Sequence, residues 1–340
     1  MERGAVRLRP ASARERHHPV TADKHRLVTR SDFDGLVCAT LLKQLDLVDE
    51  ILFVHPKDVQ DGKVELSARD ICTNLPYDPR AGLVFDHHAS ELVRNGELAA
   101  NHVIDASAPS AARVVYDYYG GKERFPSVPD DLMAAVDQAD SARYSVADVL
   151  DPTGWTLLNY LMDSRTGLGR FRTFRISNYA LMMDLIDVCA TMPVEEILEL
   201  PDVAERVALY REQSQAFVEQ LRRTCRVDGQ LVVVDYRGEQ TIHAGNRFTV
   251  YALFPQTTVS VHLIPGRANL NTVLAVGKSI VNRSSDYDIG AAMLRHGGGG
   301  HANAGTCQVA HEQAESVLAE IADDVNGRVR RVVAEQALTS

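Results

Sequence analysis

The chain lacks the features that mark several large classes of protein. No run of residues is long and apolar enough to span a bilayer. The first residues contain no apolar core of the kind a secretory signal requires. Positive charge does not predominate. The net charge of −10 argues against broad binding to duplex nucleic acid, which needs a basic face, but leaves room for a local basic pocket. Paired aromatic positions on which the bases of a long strand could stack are not evident. Cysteine is scarce: Cys38, Cys72, Cys189, Cys225 and Cys307 form an odd set without CxxC spacing. That disfavours a disulfide framework and points to a reduced cytoplasm without membrane attachment.

What is present is ordinary for a globular chain: 340 residues, 45% hydrophobic and 24% charged, enough for two domains. Residues 1–24 are rich in Arg, Ala and Pro and are expected to form a disordered tail. A first domain is expected over 25–200. Strand patterns begin at Arg26, Ile51, Asp70 and Leu83, and helical patterns cover Leu36–Leu45, Ser110–Tyr119 and Asp131–Ala139. Alternating signals of this kind predict an α/β fold with a mostly parallel sheet. Helical periodicity over Ile176–Ala190 and Val203–Arg222 leads into a linker helix expected over 201–228. Val232, Val250–Phe254, Thr258–Ile264 and Thr272–Val276 then read as strands of a smaller α/β domain over 229–330. The expected architecture places a cleft between the two domains.

Two stretches concentrate metal-ligand side chains. Leu83-Val84-Phe85 reads as a buried strand that ends in Asp86-His87-His88. Carboxylate and imidazole groups at the carboxyl end of a parallel strand stand where an open α/β sheet places its site. Arg26–Thr29 is a strand pattern followed by Arg30-Ser31-Asp32-Phe33-Asp34-Gly35 and then an apolar helix. Two carboxylates in that turn are poor anion binders and suit hard cations such as Mn²⁺ or Mg²⁺. Asp137 and Asp140 are three apart and share a helix face if the helix runs through both. Ser110 reads as a helix N-cap. Arg165, Arg170, Arg172 and Arg175 cluster around Gly167 and Gly169; a solvated basic segment is the favoured account, an anion-facing loop the sharper alternative. His296 is followed by Gly297, Gly298, Gly299, Gly300 and His301. Consecutive glycines cost chain entropy, so something should require them, and their amides can approach a phosphate closely.

Asp32-x-Asp34 and Asp86-His87-His88, both at strand ends, with the later glycine run, resemble the DHH phosphoesterase superfamily. That group includes RecJ exonucleases, nanoRNA-degrading phosphatases, cyclic-dinucleotide phosphodiesterases and exopolyphosphatases. The resemblance spans about residues 26–312 and implies a metal-dependent phosphohydrolase acting on short oligonucleotides, small nucleotides or polyphosphate. It implies metal ligation of Mn²⁺ or Mg²⁺ by Asp32, Asp34, His87 and Asp140, with Asp140 preferred over Asp137, and with Asn74 where family members carry a bridging aspartate. Asp86 and His88 take supporting catalytic roles. Gly298, Gly299, Gly300 and His301 match the GGGH motif of the DHH-associated substrate-binding domain, and Arg283 matches its anion-contacting segment.

Two positions depart from the family pattern. Arg30 stands where a His or Asp ligand is expected, and Asn is neutral where the bridging carboxylate belongs. The resemblance therefore implies a weakened or missing first metal, with Arg30 supplying part of its charge. It also raises a competing reading, a degenerate non-catalytic nucleotide- or phosphate-binding protein. The sequence leaves open whether the chain acts as a monomer or a homodimer.

Overall fold

The computed structural model describes residues 24–88, 91–92 and 99–339, with side chains described up to residue 327. Apart from Lys24, the expected tail lies outside the described residues, as do Ala89 and Ser90.

The first sheet has the order β2-β1-β3-β4-β5, built from β1 (His25–Arg30), β2 (Val48–Val54), β3 (Asp70–Thr73), β4 (Leu83–Asp86) and β5 (His102–Ile104). All four pairings are parallel. The central strands β1, β3 and β4 are largely buried, while the edge strand β2 exposes Asp49 and Glu50. In this order the chain reverses direction across the sheet between β1 and β3, and the crevice outside the strand ends at that point is where open α/β sheets bind ligands.

Helix α1 (Phe33–Gln44) follows β1 directly. Asp32 caps it, accepting from the Gly35 amide at 3.0 Å. Every residue from Phe33 to Leu42 is buried, as expected of a helix packed on all sides. Gly35 is required by close approach: a Cβ there would lie 2.0 Å from the Arg30 carbonyl oxygen. Helix α2 is Pro56–Gln60, α3 is Ala111–Tyr118 and α4 is Asp130–Asp140. Then come α5 (Val146–Leu150), α6 (Gly154–Met162), α7 (Asn178–Val188), α8 (Val194–Glu199) and the long α9 (Pro201–Thr224). Helix α9 ends earlier than the sequence suggests, because Cys225–Asp228 pairs with the next strand as β6.

The second sheet is mixed, in the order β10-β11-β9-β8-β7-β6. Its further strands are β7 (Leu231–Asp235), β8 (Val259–Pro265), β9 (Thr272–Lys278), β10 (Gly299–His301) and β11 (Ala304–Val309). Helices α10 (Thr249–Leu253), α11 (Ile289–Arg295) and α12 (Ala314–Thr339) complete it. Of the segment Val250–Phe254, which reads as a strand in sequence, all but the C-cap Phe254 is helical. Asn246 starts the turn by accepting from the Phe248 amide at 2.9 Å, and a five-residue apolar run has no periodicity to separate the two states.

One core joins both halves. Val232, Val234, Tyr236, Phe248, Val250 and Tyr251 pack in the same buried cluster as Leu27, Leu36, Trp155 and Leu221. A second cluster lies between the other face of the second sheet and α11 and α12. Among the described residues no helix is long and apolar enough to cross a membrane.

Candidate active site

The acidic turn, the Asp-His-His strand end and the last turn of α4 meet at one point. Asp34, His87 and Asp140 each offer a ligand atom, and the three atoms lie within 4.8 Å of one another. Each comes from a different element, so the fold rather than the local sequence brings them together.

Asp34 is buried, and its carboxylate closes the start of α3. One oxygen accepts from the Ala111 amide at 3.0 Å and the other from Ala112 at 2.8 Å. A helix N-terminus favours a carboxylate there. Each oxygen retains a lone pair for a further partner. Ser110, the N-cap of α3, accepts from the Arg113 amide and donates to Asp137. Asp137 also receives the Arg113 side chain at 3.0 Å, so it fixes α3 against α4 and does not join the cluster.

Asp140 is the last residue of α4 and faces His87, with Oδ2 2.8 Å from Nε2. A carboxylate at a helix C-terminus meets the negative end of the helix dipole and needs a cation nearby. The His87 ring is set by Nδ1, 3.3 Å from the Ala108 carbonyl oxygen. His87 Nε2 is buried and, despite its closeness to Asp140, is not aligned in a hydrogen bond. Asn74 Oδ1 and Asp86 Oδ2 are likewise buried without partners. Orphaned buried polar atoms are rare and call for an explanation. Three of them around converging carboxylates fit a bound divalent cation.

The electrostatics agree. Burial pushes the Asp34 carboxyl well above the usual range, and Asp140 and Asp32 add to the effect. Burial also works against a charged His87, yet Asp140, Asp34 and Asp86 outweigh it and raise the ring to about 9. Burial opposes ionisation of Asp140 too, but His87, His88 and Arg30 hold its carboxyl below the ordinary value. The proton on His87 stands where positive charge is required.

The other residues expected from sequence surround this centre. Arg30 Nε lies 2.8 Å from Asp32 Oδ2, and Asn74 Nδ2 donates to Asp32 Oδ1 at 3.2 Å. Asp32 thus caps α1 and pairs with Arg30, outside the converging trio. Asn74 takes a left-handed backbone, φ 54°, which Asn tolerates better than most residues. Asp86 is fully buried at the end of β4. Its Oδ1 accepts from the His87 amide at 2.8 Å and lies 2.7 Å from His88 Nδ1, so His88 Nε2 is turned away from Asp86.

Arg283 reaches the first half: Nη2 donates to the Ala142 carbonyl at 2.6 Å, two residues beyond Asp140. The glycine run is a short edge strand. A Cβ at Gly298 would lie 2.1 Å from the Thr306 carbonyl oxygen and one at Gly300 2.3 Å from that of Ala304, so packing requires both glycines. At Gly299 a Cβ would meet open space, and packing does not explain its lack of a side chain. His301 is exposed. A hollow of about 600 Å³ lined by Asp131, Arg143 and Trp155 shares Ser141 with this region but none of the three converging ligands.

Sequence patterns alone do not single out Arg247. With Arg165 it flanks Asp163, Arg165 Nε at 2.7 Å and Arg247 Nε at 3.9 Å. Of the arginines around Gly167, Arg170 bonds the Ile242 carbonyl and Arg175 pairs with Asp202, while Arg165 feels the charges of Asp32 and Asp140. All four arginines are exposed, as the solvated basic segment favoured from sequence requires, and Arg165 alone among them feels the acidic site. A turn signal, Gly245-Asn246, just before Arg247 is the one available hint.

Comparison with solved structures gives a strong match. A pGpG-specific phosphodiesterase, PggH from Vibrio cholerae, is 55% identical, with a TM-score of 0.81; the match covers 89% of this chain and 99% of that one. RecJ from Thermus thermophilus, solved with Mn²⁺, is 15% identical at a TM-score of 0.46, covering 88% of this chain and 52% of RecJ. CDC45 from Entamoeba histolytica is 9% identical at a TM-score of 0.49, covering 88% of this chain and 95% of that one. No family model matches the chain, and no curated protein matches it.

Proposed function

Because the chain belongs to the DHH phosphoesterase superfamily, we propose that it hydrolyses the phosphodiester bond of short linear oligonucleotides, dinucleotides above all, with Mn²⁺ or Mg²⁺ as cofactor. The observation that carries this is the convergence of Asp34, His87 and Asp140 from three elements onto one point. The phosphodiesterase that shares more than half of its residues favours a diester over polyphosphate or a nucleoside bisphosphate.

Asp34, His87 and Asp140 would hold the cation, which would acidify a water and offset charge on the scissile phosphate. Asp86 orients the His88 ring through Nδ1, leaving Nε2 to meet a phosphoryl oxygen. Arg30, kept in place by Asp32, adds fixed positive charge beside the same oxygens. Gly299 lets backbone amides approach the far nucleotide, and Arg283 and His301 supply donors beside it. The competing reading, a degenerate binder, is not favoured: the three converging ligands are intact despite Arg30 and Asn74.

A manganese-supplemented screen over 5′-phosphorylated dinucleotides, cyclic dinucleotides, 3′,5′-bisphosphorylated adenosine and polyphosphate tests the proposal. Linear dinucleotides should turn over fastest, with the His87→Ala protein as blank. A wild-type protein inert toward every dinucleotide would sink it.

A further inference from the structure

Arg247 is a guanidinium with one distant counter-ion, Asp163, 3.9 Å from its Nε. Among the described residues it donates no hydrogen bond, its Nε is buried and unpartnered, and its plane rests 4.2 Å from the Phe248 ring. Its contact with Asp163 is long and its buried Nε has no hydrogen-bond acceptor, so the fork keeps donors for a further partner. Burial, and then Arg165 beside it, depress its pKa to about 10, so it stays charged at neutral pH.

Arg165 is its neighbour. The Nε of Arg165 is taken by Asp163, but its terminal nitrogens make no hydrogen bond among the described residues, and the side chain is half-exposed. Two arginines share one carboxylate, leaving one positive charge in excess. Two loops from different parts of the chain deliver them, and these loops are tied together. The Gly245 amide donates to the Thr166 carbonyl at 2.9 Å, and Arg170 Nη2 to the Ile242 carbonyl at 2.7 Å. Gly245 packs so tightly that a Cβ would lie 2.1 Å from the Phe217 ring. The backbones that carry the pair are therefore fixed relative to one another. Arg165, the member nearer the acidic turn, lies within the field of Asp32 and Asp140.

Resting on the phosphodiesterase reading above, we propose that Arg165 and Arg247 form a clamp for the 5′-terminal phosphate of the substrate, one nucleotide away from the bond that is cut. A terminal phosphomonoester carries about −1.5 to −2 charges at neutral pH and three acceptor oxygens. Two planar forks of donors match it better than they match the single charge of an internal diester. The clamp makes the enzyme select substrates by a group that does not react, so short 5′-phosphorylated ends are preferred over 5′-hydroxyl ones.

The test compares kcat/KM for a 5′-phosphorylated diguanylate and its 5′-hydroxyl counterpart in wild type, Arg165→Gln and Arg247→Gln. Wild type should prefer the phosphorylated form. Each variant should lose about ten- to a hundredfold on that substrate, chiefly through KM, and change little on the hydroxyl form. Arg247→Lys, which keeps the charge but not the fork, should fall between. Equal losses on both substrates, or a wild type that hydrolyses both without discrimination, would overturn the clamp alone. Failure of wild type to cut either dinucleotide would overturn the phosphodiesterase reading and the clamp with it.

Discussion

The Arg30 guanidinium and the Asp32 carboxylate are 2.8 Å apart. Family resemblance leads one to expect a metal ligand at position 30, and here a fixed cation faces the acidic turn instead. A second divalent ion beside it would meet repulsion of several kcal/mol, on the order of 4 per unit charge at about 4 Å in a partly screened site. Asn74 offers no charge to offset that. The expected stoichiometry is one tightly bound manganese per chain, measured by elemental analysis after dialysis. The double change Arg30→His with Asn74→Asp should raise it toward two. Two ions in the wild type would refute the argument.

His87→Ala should lower kcat by at least about a thousandfold and also lower stability in the absence of metal, because Asp140 and Asp34 lose the charged ring that faces them. Asp34→Asn should lose activity and also about 1–3 kcal/mol of stability, since an amide N–H would face the Ala111 or Ala112 N–H. Activity assays beside denaturant titrations separate the two effects. Full turnover in either variant would remove that residue from the mechanism.

Asp86→Asn leaves the shape of the site but removes the charge that orients His88. It should lower kcat by about a hundredfold or more, with KM for a dinucleotide little changed. Steady-state kinetics with the His88→Ala protein alongside should show the two losses to be far from additive. Additive losses would mean that the two residues act separately.

Gly298 and Gly299 are adjacent but differ in what surrounds them. Gly298→Ala drives a methyl group into the Thr306 carbonyl and should destabilise the protein by about 1–3 kcal/mol. Gly299→Ala meets open space and should leave the melting temperature unchanged while raising KM. If Gly299→Ala bound substrate as well as wild type, the glycine run would have no role in binding.

His262, on β8, is depressed to about 4 by burial. Unfolding lets it take up a proton between its folded value and the ordinary value near 6.5. Stability contributed by the neutral ring is thus complete above about pH 6.5 and is lost as pH falls toward 4, reaching about 3 kcal/mol. Denaturant titrations of wild type and His262→Gln at pH 7 and 4.5 should show a smaller acid loss in the variant. An equal loss would place the acid sensitivity elsewhere.

What the sequence discloses here follows from how far each signal reaches. The strand, acidic turn and helix around Asp32 and Asp34 are legible because adjacent residues carry the whole pattern. The parallel sheet is legible from its alternating elements, and the glycine run from its composition. Short strands such as β5 and β10 are hidden because three residues have no period. Val250–Phe254 misleads because its β-branched start is overruled by the Asn246 turn and by packing. Arg165 and Arg247 meet only because the Gly245 amide finds the Thr166 carbonyl, a contact between distant segments that no local pattern encodes.

The shared core has a consequence for dissection of the molecule. Val232, Val234 and Tyr251 fill the same apolar interior as Leu27 and Trp155. A fragment cut after Thr224 would expose that surface to water and should be recovered in inclusion bodies rather than as a half-enzyme. Chimeras that graft one half onto a foreign partner will need the matching half of the seam.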